Sequence, residues 1–521
     1  MYLIQAPHKL NTSILLPSSK SISNRALILN ALCNDPRSLC NLSACDDTDV
    51  VIKALRKKKG IIDVGAAGTA MRFLTAYLAG QPGNYIITGT ERMKKRPITL
   101  LVDALRTVGA HIDYLENEGC PPLQIKGQTL KGGEIEMNGS VSSQYISALL
   151  MVAPTMINGL HLHLTGLISS MPYIDMTVQL MRLYGAVVRN EKQTFIVPPH
   201  PYTSIDNFTV ESDWSAASYW YEIVALCTDR EASVTLYGLR PDSLQGDAMI
   251  VALFDRLGVK TTFSSSGITL TKKRQTHDGL FQFDFTSMPD MAQTLTVTCI
   301  MLQIPFRFTG LHSLKIKETD RLLALKTELL KFGYPLEIYD DHTLEWKGEK
   351  SKPVTFQKDG KIALSDNTPP AISTYEDHRM AMAFTPISCS MDNGIRIVHP
   401  EVVSKSYPSF WNDLQKAHFL VTPADNADCC GLLDICKPDR RPAILRKEID
   451  YYDDEELDQF SGIPSDSHTE IAIDAFREVL YTMRKEEVEA WLLSLQLRNI
   501  HLPDPLKDEV LLIVVEQHNN R

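Results

Sequence analysis

Residues 315–321, Lys-Ile-Lys-Glu-Thr-Asp-Arg, place three cations and two acids within seven positions. If a helix starts here, Lys317 and Arg321 stand one turn apart on one face. Cations at a helix start suit an anion, because the free N–H groups and the dipole favour negative charge there. A carboxylate beside such a site, Glu318, could move protons. Other stretches offer related groups. Ser19-Lys20-Ser21 is followed by Arg25, and Gly65–Arg72 is a small-residue turn in which Gly68 would let a ligand approach the backbone. That turn is not a phosphate loop, since no Gly-Lys-Ser/Thr ends it. Arg92–Arg96 packs four cations into five residues. Ser142-Ser143-Gln144 has hydroxyls and an amide suited to a phosphate, and Ser170–Asp175 adds another hydroxyl and Tyr173. Asp377-His378-Arg379 pairs a cation with a titratable imidazole. Each stretch alone reads as a helix cap or a solvated loop.

The elements that must position these groups recur along residues 1–420. One helix type opens with small or polar residues and turns apolar, starting near Lys20, Gly68, Ser142, Asp213, Asp290 and Asp377. A second, more amphipathic type stops at glycine, at Gly60, Gly109, Gly185, Gly258 and Gly333. Between them lie short β-like runs: Ile14–Leu16, Tyr85–Ile87, His161–Leu164, Val234–Tyr237, Ile268–Leu270, Phe306–Thr309 and Ile395–Val398. The alternation implies six α/β units, the first shortened at Arg56–Ile61. If the six polar helix starts converge, they form a cleft lined by N–H groups and cations.

Composition narrows the class. The 521 residues are 44% hydrophobic and 22% charged, as in an ordinary globular chain. No apolar run is long enough for a membrane span, and the start lacks a signal-peptide pattern. Ten scattered cysteines suggest reduced thiols and a cytoplasmic protein. The net charge of −10 is uneven: residues 421–521 hold 11 basic and 22 acidic residues, leaving 42 and 41 in the body. No basic stripe argues for nucleic acid. The tail reads as a separate, small, mostly helical module, with helical patterns at Ile471–Met483, Val488–Leu497 and Leu506–Val515. Its Cys429, Cys430 and Cys436 lack a fourth metal ligand at standard spacing, so free thiols are expected.

Six motifs occur in order across the body: Ser-Lys-Ser-x-Ser-Asn-Arg from Ser19, Ala-Gly-Thr-Ala-Met-Arg from Ala67, Arg-Met-x-x-Arg-Pro-Ile from Arg92, Val-Ser-Ser-Gln from Val141, Lys-Glu-Thr-Asp-Arg from Lys317 and Asp-His-Arg-Met-Ala-Met from Asp377. Together they resemble the 5-enolpyruvylshikimate-3-phosphate synthases, or 3-phosphoshikimate 1-carboxyvinyltransferases, over residues 1–420. The resemblance implies an inside-out α/β barrel of two domains built from six βαββαβ units. The domains would be 20–211, and 1–19 with 212–420; residues 421–521 stay outside. It implies transfer of the enolpyruvyl group of phosphoenolpyruvate to the 5-hydroxyl of shikimate 3-phosphate, with release of phosphate. This step belongs to the shikimate pathway, towards chorismate and the aromatic amino acids. No cofactor or metal, and no nucleic-acid or membrane partner, is expected; a monomer is.

By the same resemblance, Ser142, Ser143, Ser170 and Lys317 would hold the shikimate phosphate. Ser21, Arg25, Gln144, Tyr173 and Asp290 would hold the ring, carboxylate and hydroxyls. Arg96, Arg321, Arg379 and Lys405 would hold phosphoenolpyruvate, completed by Lys20, Gly68, Gln144 and His378. Asp290 would take the proton of the 5-hydroxyl, Glu318 would protonate the methylene carbon, and Lys20 would stabilise the leaving phosphate. Ser18, Ala66, Phe73 and Ser313 depart from the commonest form, in which Gly, Asn, Pro and Asn stand. Ala66 and Phe73 flank the region that glyphosate crowds. The competing readings are the sister family acting on UDP-N-acetylglucosamine, which Cys120 would suit, and a non-catalytic scaffold for the tail. Residues 1–420 are expected to be active alone, in a chain ending near His418.

Overall fold

The structure is a computed structural model. It describes residues 1–424 except 58, 141, 167, 169, 277–278, 352–354, 357–361 and 364–368. Of the rest it describes 454–461, 463, 465, 468–483, 487–498, 500, 502–503, 505–506 and 510. The chain forms two compact units, Met1–Ala424 and Asp425–Arg521.

In the first unit the helices are α1 Lys20–Ala31, α2 Asp46–Leu55, α3 Gly68–Ala79, α4 Thr99–Thr107, α5 Ser143–Val152, α6 Met171–Leu183, α7 Trp214–Leu226, α8 Ile250–Arg256, α9 Ala292–Met301, α10 Arg321–Lys331, α11 His378–Phe384 and α12 Phe410–Lys416. They connect five four-stranded sheets of one design. A strand leads through a helix to a parallel strand, then through a second helix to an antiparallel hairpin. Strands Gly60–Asp63, Gly83–Thr88, His111–Tyr114 and Leu123–Gly127 show the pattern around α3 and α4, in the order first, second, fourth, third. The sheets that begin at Gly133, Asn11 and Phe281 repeat it, and in the one that begins at Ala371 the N-terminal strand Tyr2–Gln5 takes the fourth place beside Leu420–Pro423. Each unit is thus β-α-β-α-β-β, which corrects the internal order βαββαβ. Parallel strands need a helical crossover, whereas the antiparallel pair needs only a turn, so both helices precede the hairpin.

The exchange between the halves is reciprocal. Strand Asn11–Leu15 pairs in parallel with Ser233–Tyr237, in the unit completed by α7 and α8. Thr209 forms a parallel bridge to Cys40, between α1 and α2. The two crossing segments bind each other, Ser19 N–H to Glu211 O at 2.8 Å and Asp213 N–H to Pro17 O at 2.9 Å. After α2 the chain enters Gly60–Asp63 with no hairpin among the described residues, so this sixth unit is cut short. In the last sheet Tyr2–Gln5 lies between Ile395–Ile397 and Leu420–Pro423. Leu420–Pro423 crosses the expected boundary at residue 420, and the first unit ends at Ala424.

Helices lie inside and sheets outside. α1, α3 and α5 pack against one another, as do α7, α9 and α11. α9 is buried along its whole length, and α7 at all but one residue. Such all-round burial suits helices with almost no charge: α9 has no charged residue and α7 only Glu222. One hydrophobic core runs from Ile22 to Val210; the other joins Ile4–Leu16 to Trp214–Phe419. The outer helices α4, α6, α8 and α10 end beside Gly109, Gly185, Gly258 and Gly333, all at positive φ, as a C-cap requires. Gly60 also has positive φ, but it opens a strand five residues past the end of α2.

The second unit holds α13 Glu470–Thr482 and α14 Val488–Leu497. Leu457, Phe476, Leu480, Trp491 and Leu495 form its core. Asp454, buried, accepts from Trp491 Nε1 at 2.8 Å and pairs with Arg498. The expected helix Leu506–Val515 lies largely outside the described residues, and Cys429, Cys430 and Cys436 lie wholly outside them. Among the described residues, no helix is long and apolar enough to cross a membrane.

Candidate active site

The polar starts of α1, α3, α5, α9 and α11 meet at a cavity of ≈ 250 Å³ between the two halves of the first unit, while the start of α7 does not line it. Lys20, Ser21, Arg25, Gly68, Arg96, Ser142, Ser143, Gln144, Ser170 and Tyr173 line it from one half. Asp290, Lys317, Glu318, Arg321, His378 and Arg379 line it from the other. Lys405 stands behind this wall and reaches it through Glu318, at 2.8 Å. Seven Lys and Arg side chains face three carboxylates across the cavity, so its field favours multiply charged anions.

Local chemistry fixes these starts. Ser19, Ser142, Asp213 and Asp377 each cap a helix through a side-chain oxygen. α3 has no such cap, and Gly68 and Thr69 at its start line the cavity. A Cβ on Gly68 would sit 2.7 Å from Arg96 Nη1, so glycine is needed for the guanidinium to lie there. The helix expected to start within 315–321 starts only at Arg321. Asp320 caps it, accepting from Leu323 N at 3.1 Å. Lys317 and Glu318 therefore precede the helix on a turn, rather than stacking with Arg321 on one face. Before α11, Tyr375 and Glu376 both take positive φ (54° and 56°), which costs energy for residues with a Cβ. Buried Glu328 of α10 holds this bend, accepting from Tyr375 Oη at 2.6 Å and Ser373 N at 3.1 Å.

Arg321 is the hub. It is 1% exposed and donates to Asp377 at 2.7 and 3.3 Å, to Asp290 at 2.9 Å and to Glu318 at 3.0 Å. Arg379 reaches Asp290 at 3.2 Å, and Lys317 lies 3.5 Å from it. Burial would raise the Asp290 carboxyl, but Arg379, Lys317 and Arg321 outweigh it and hold the group far below the usual carboxylate range. Burial is likewise overcome at Glu318, by the cations Lys405, Arg321 and Arg96. Both carboxylates are thus ionised. Burial, reinforced by Lys20, Arg379 and Lys405, pushes His378 well below its ordinary value and keeps the imidazole neutral. Neither of its ring nitrogens has a hydrogen-bond partner among the described residues. Lys20 stays charged: burial opposes this, but Asp47, 3.2 Å away, raises it.

The acceptor side is equally constrained. Arg25, lowered to about 10 by burial, remains a cation. It donates to Thr177 Oγ1 at 2.7 Å and to Ser21 O at 2.9 Å, and its guanidinium lies 5.2 Å from the ring centroid of Phe73. The unusual Phe73 is therefore a floor for a binding cation. Gln144 Nε2 donates to Thr69 Oγ1 at 3.1 Å. Ser170 takes a left-handed conformation, and its N–H donates across the cleft to Thr286 O at 2.7 Å. Ser313 Oγ has no partner among the described residues and lines the cavity.

Five lining residues escape the motif reading: Asp47, Ser140, Tyr145, His312 and, in its role, Arg72. Arg72 Nη2 donates to Pro97 O at 3.2 Å and Tyr145 Oη to the same carbonyl at 2.6 Å, which fixes the segment carrying Arg96. Arg72 follows Gly68 by one helical turn, a spacing visible in the motif. Asp47 gave no signal, being one of three acids at the start of α2.

The sequence matches the family described as EPSP synthase (3-phosphoshikimate 1-carboxyvinyltransferase) over residues 4–62 and 57–414. A 3-phosphoshikimate 1-carboxyvinyltransferase of Bacteroides fragilis (strain YCH46) is 54% identical over 419 residues, covering 80% of this chain and 98% of the relative. One from Aliivibrio salmonicida is 35% identical over 448 residues, covering 79% and 98%. Among solved structures, an EPSP synthase from Acinetobacter baumannii superposes with a TM-score of 0.62 at 20% identity, covering 81% of this chain and 99% of that one. The fold is accordingly the inside-out α/β barrel of that enzyme class. The chain belongs to the EPSP synthase (3-phosphoshikimate 1-carboxyvinyltransferase) family.

Proposed function

We propose that the chain transfers the enolpyruvyl group of phosphoenolpyruvate to the 5-hydroxyl of shikimate 3-phosphate, giving 5-enolpyruvylshikimate 3-phosphate and phosphate. The observation that carries this reading is the pair of carboxylates on one arginine. Arg321 Nη1 holds Asp290 and Nη2 holds Glu318, so a proton acceptor and a proton donor flank one fixed cation. Asp290, ionised and beside Tyr173 and Lys317, accepts the hydroxyl proton as the oxygen attacks C2 of the enolpyruvyl group. Glu318 supplies a proton to the methylene carbon. As the tetrahedral adduct collapses, Glu318 takes a proton back from the methyl group, the C–O bond to phosphate breaks, and Lys20 balances the charge of the departing phosphate.

Glu318 is held ionised by its cation neighbours, so it must gain its proton with the substrates. The carboxylate and phosphate of phosphoenolpyruvate neutralise Arg96 and Lys405, two of the charges that depress it. Guanidinium forks at Arg96, Arg379 and Arg321 orient the donor. Arg321 spends most of its donors on protein carboxylates and so acts chiefly as their anchor. Ser142, Ser143, Ser170 and Lys317 take the acceptor's phosphate; Ser21, Arg25, Gln144 and Tyr173 take its ring and carboxylate. Gly68 and His378 complete the donor side. The two hydrophobic cores support a division into domains 20–211 and 1–19 with 212–424.

The test is phosphate release from phosphoenolpyruvate with each acceptor. Release with shikimate 3-phosphate and none with UDP-N-acetylglucosamine is expected; the reverse would overturn the reading.

A further inference from the structure

A three-residue turn, Gln245-Gly246-Asp247, lies outside every motif of the sequence yet touches both halves of the cleft. Gln245 is buried. Its Nε2 donates to Glu211 Oε1 at 2.9 Å and Ser212 O at 2.8 Å, and its Oε1 accepts from Trp214 N at 3.0 Å. It therefore grips the crossing segment and the start of α7 together. Gly246 packs against Pro172 at the start of α6, in the opposite half, where a Cβ would collide with the proline ring. Asp247 is 3% exposed. Ser215 Oγ donates to it from α7, and Tyr173 Oη donates to it across the cleft, at 3.4 and 3.5 Å from its two oxygens.

The same phenolic oxygen lies 3.4 Å from Asp290 Oδ2. Tyr173 has one proton and two carboxylates to give it to. Burial pushes Asp247 up to about 6, against the Ser215 hydrogen bond and Arg379 and with the help of Asp290 and Asp213. Asp290 is held far lower. The two acceptors on either side of Tyr173 are thus unequal.

Resting on the function proposed above, we infer that Asp247 is a positioning residue of this reaction: it holds the Tyr173 hydroxyl across the closed cleft and keeps it off Asp290, which stays free to accept the substrate proton. Asp247 touches no reacting atom and acts through Tyr173. The Gln245 and Gly246 contacts tie the same turn to the crossing segments, so the hydroxyl is in place only when the halves are together.

A double-mutant cycle tests this. Asp247→Asn preserves shape but removes the charge, and should lower kcat/KM for shikimate 3-phosphate by about tenfold, with the KM for phosphoenolpyruvate unchanged. Tyr173→Phe should lower it too. The double variant should be no worse than Tyr173→Phe alone, because the path through the hydroxyl is already gone. Multiplying losses would overturn the inference, as would wild-type kinetics in Asp247→Asn. Should that variant fail to fold, Ser215→Ala enters the same cycle with the same expectation. An unaltered protein that releases no phosphate would sink the functional reading and this inference together; an active one with multiplying losses sinks the inference alone.

Discussion

Glu318 has to serve as an acid, yet three neighbouring cations, Lys405, Arg321 and Arg96, keep it ionised. Replacing it separates charge from proton transfer. Glu318→Gln should lower turnover by ~10²–10⁴-fold, while phosphoenolpyruvate binds as well or better, since an anion has left its site. Rapid-quench turnover and calorimetric binding check the two halves of that expectation; near-normal turnover would remove Glu318 as the shuttle. Asp247 gives a second prediction, in stability. Its folded value is raised from an ordinary 3.8 to about 6, so its favourable contribution is present below 3.8 and is lost as pH rises through 6. Asp247→Asn should therefore raise Tm more at pH 8 than at pH 4 relative to the unaltered chain, as calorimetry at both pH values can show. At this scale the sequence made legible the residues in dense motifs, such as Lys317, Glu318 and Arg379. It hid Asp47 and Asp247, because a single acid reaching in from a distant segment leaves no spacing to read.

Helix starts carry the site, and two of them make predictions at the scale of the element. At α3, Gly68→Ala places a methyl 2.7 Å from Arg96 Nη1 and must displace that guanidinium. kcat/KM for phosphoenolpyruvate should fall on the order of 10²-fold, with Tm nearly unchanged and shikimate 3-phosphate binding retained. At α10, Asp320→Ala removes the cap and should cost about 1 kcal/mol of stability, read from denaturant midpoints, with a smaller effect on turnover. Four of the six polar helix starts were readable in the chain because capping is local: Ser19, Ser142, Asp213 and Asp377 bind N–H groups two or three residues ahead. The start of α10 was misplaced by several residues because Lys317 and Glu318 are drawn to Asp290 and Lys405 by tertiary charge pairing, which no local pattern encodes. The order of helices and hairpins within a unit was equally hidden, since short strands such as His111–Tyr114 and Arg189–Glu191 are too polar to stand out.

For the whole molecule, the acidic tail and the almost neutral body divide by charge, and the structure divides them at Ala424. Where the chain is cut matters. A cut after His418 removes Leu420–Pro423, which covers one edge of Tyr2–Gln5 and should destabilise the last sheet. A cut after Ala424 keeps that sheet whole and should leave phosphate release at the full-length level. Loss of activity in the longer product would give residues 425–521 a structural role. The six-unit repeat was legible because its helix types alternate. The exchange of Asn11–Leu15 and Thr209 between halves was not legible from periodicity, since pairing partners more than 150 residues apart share no local signal. The central claim is the enolpyruvyl transfer itself, and proton NMR of the reaction mixture tests it most directly. With shikimate 3-phosphate and phosphoenolpyruvate, the account predicts vinyl protons of a new enol ether, growing one for one with released phosphate and absent with Glu318→Gln. Phosphate released without the enol ether, or vinyl signals that form equally fast with Glu318→Gln, would contradict it.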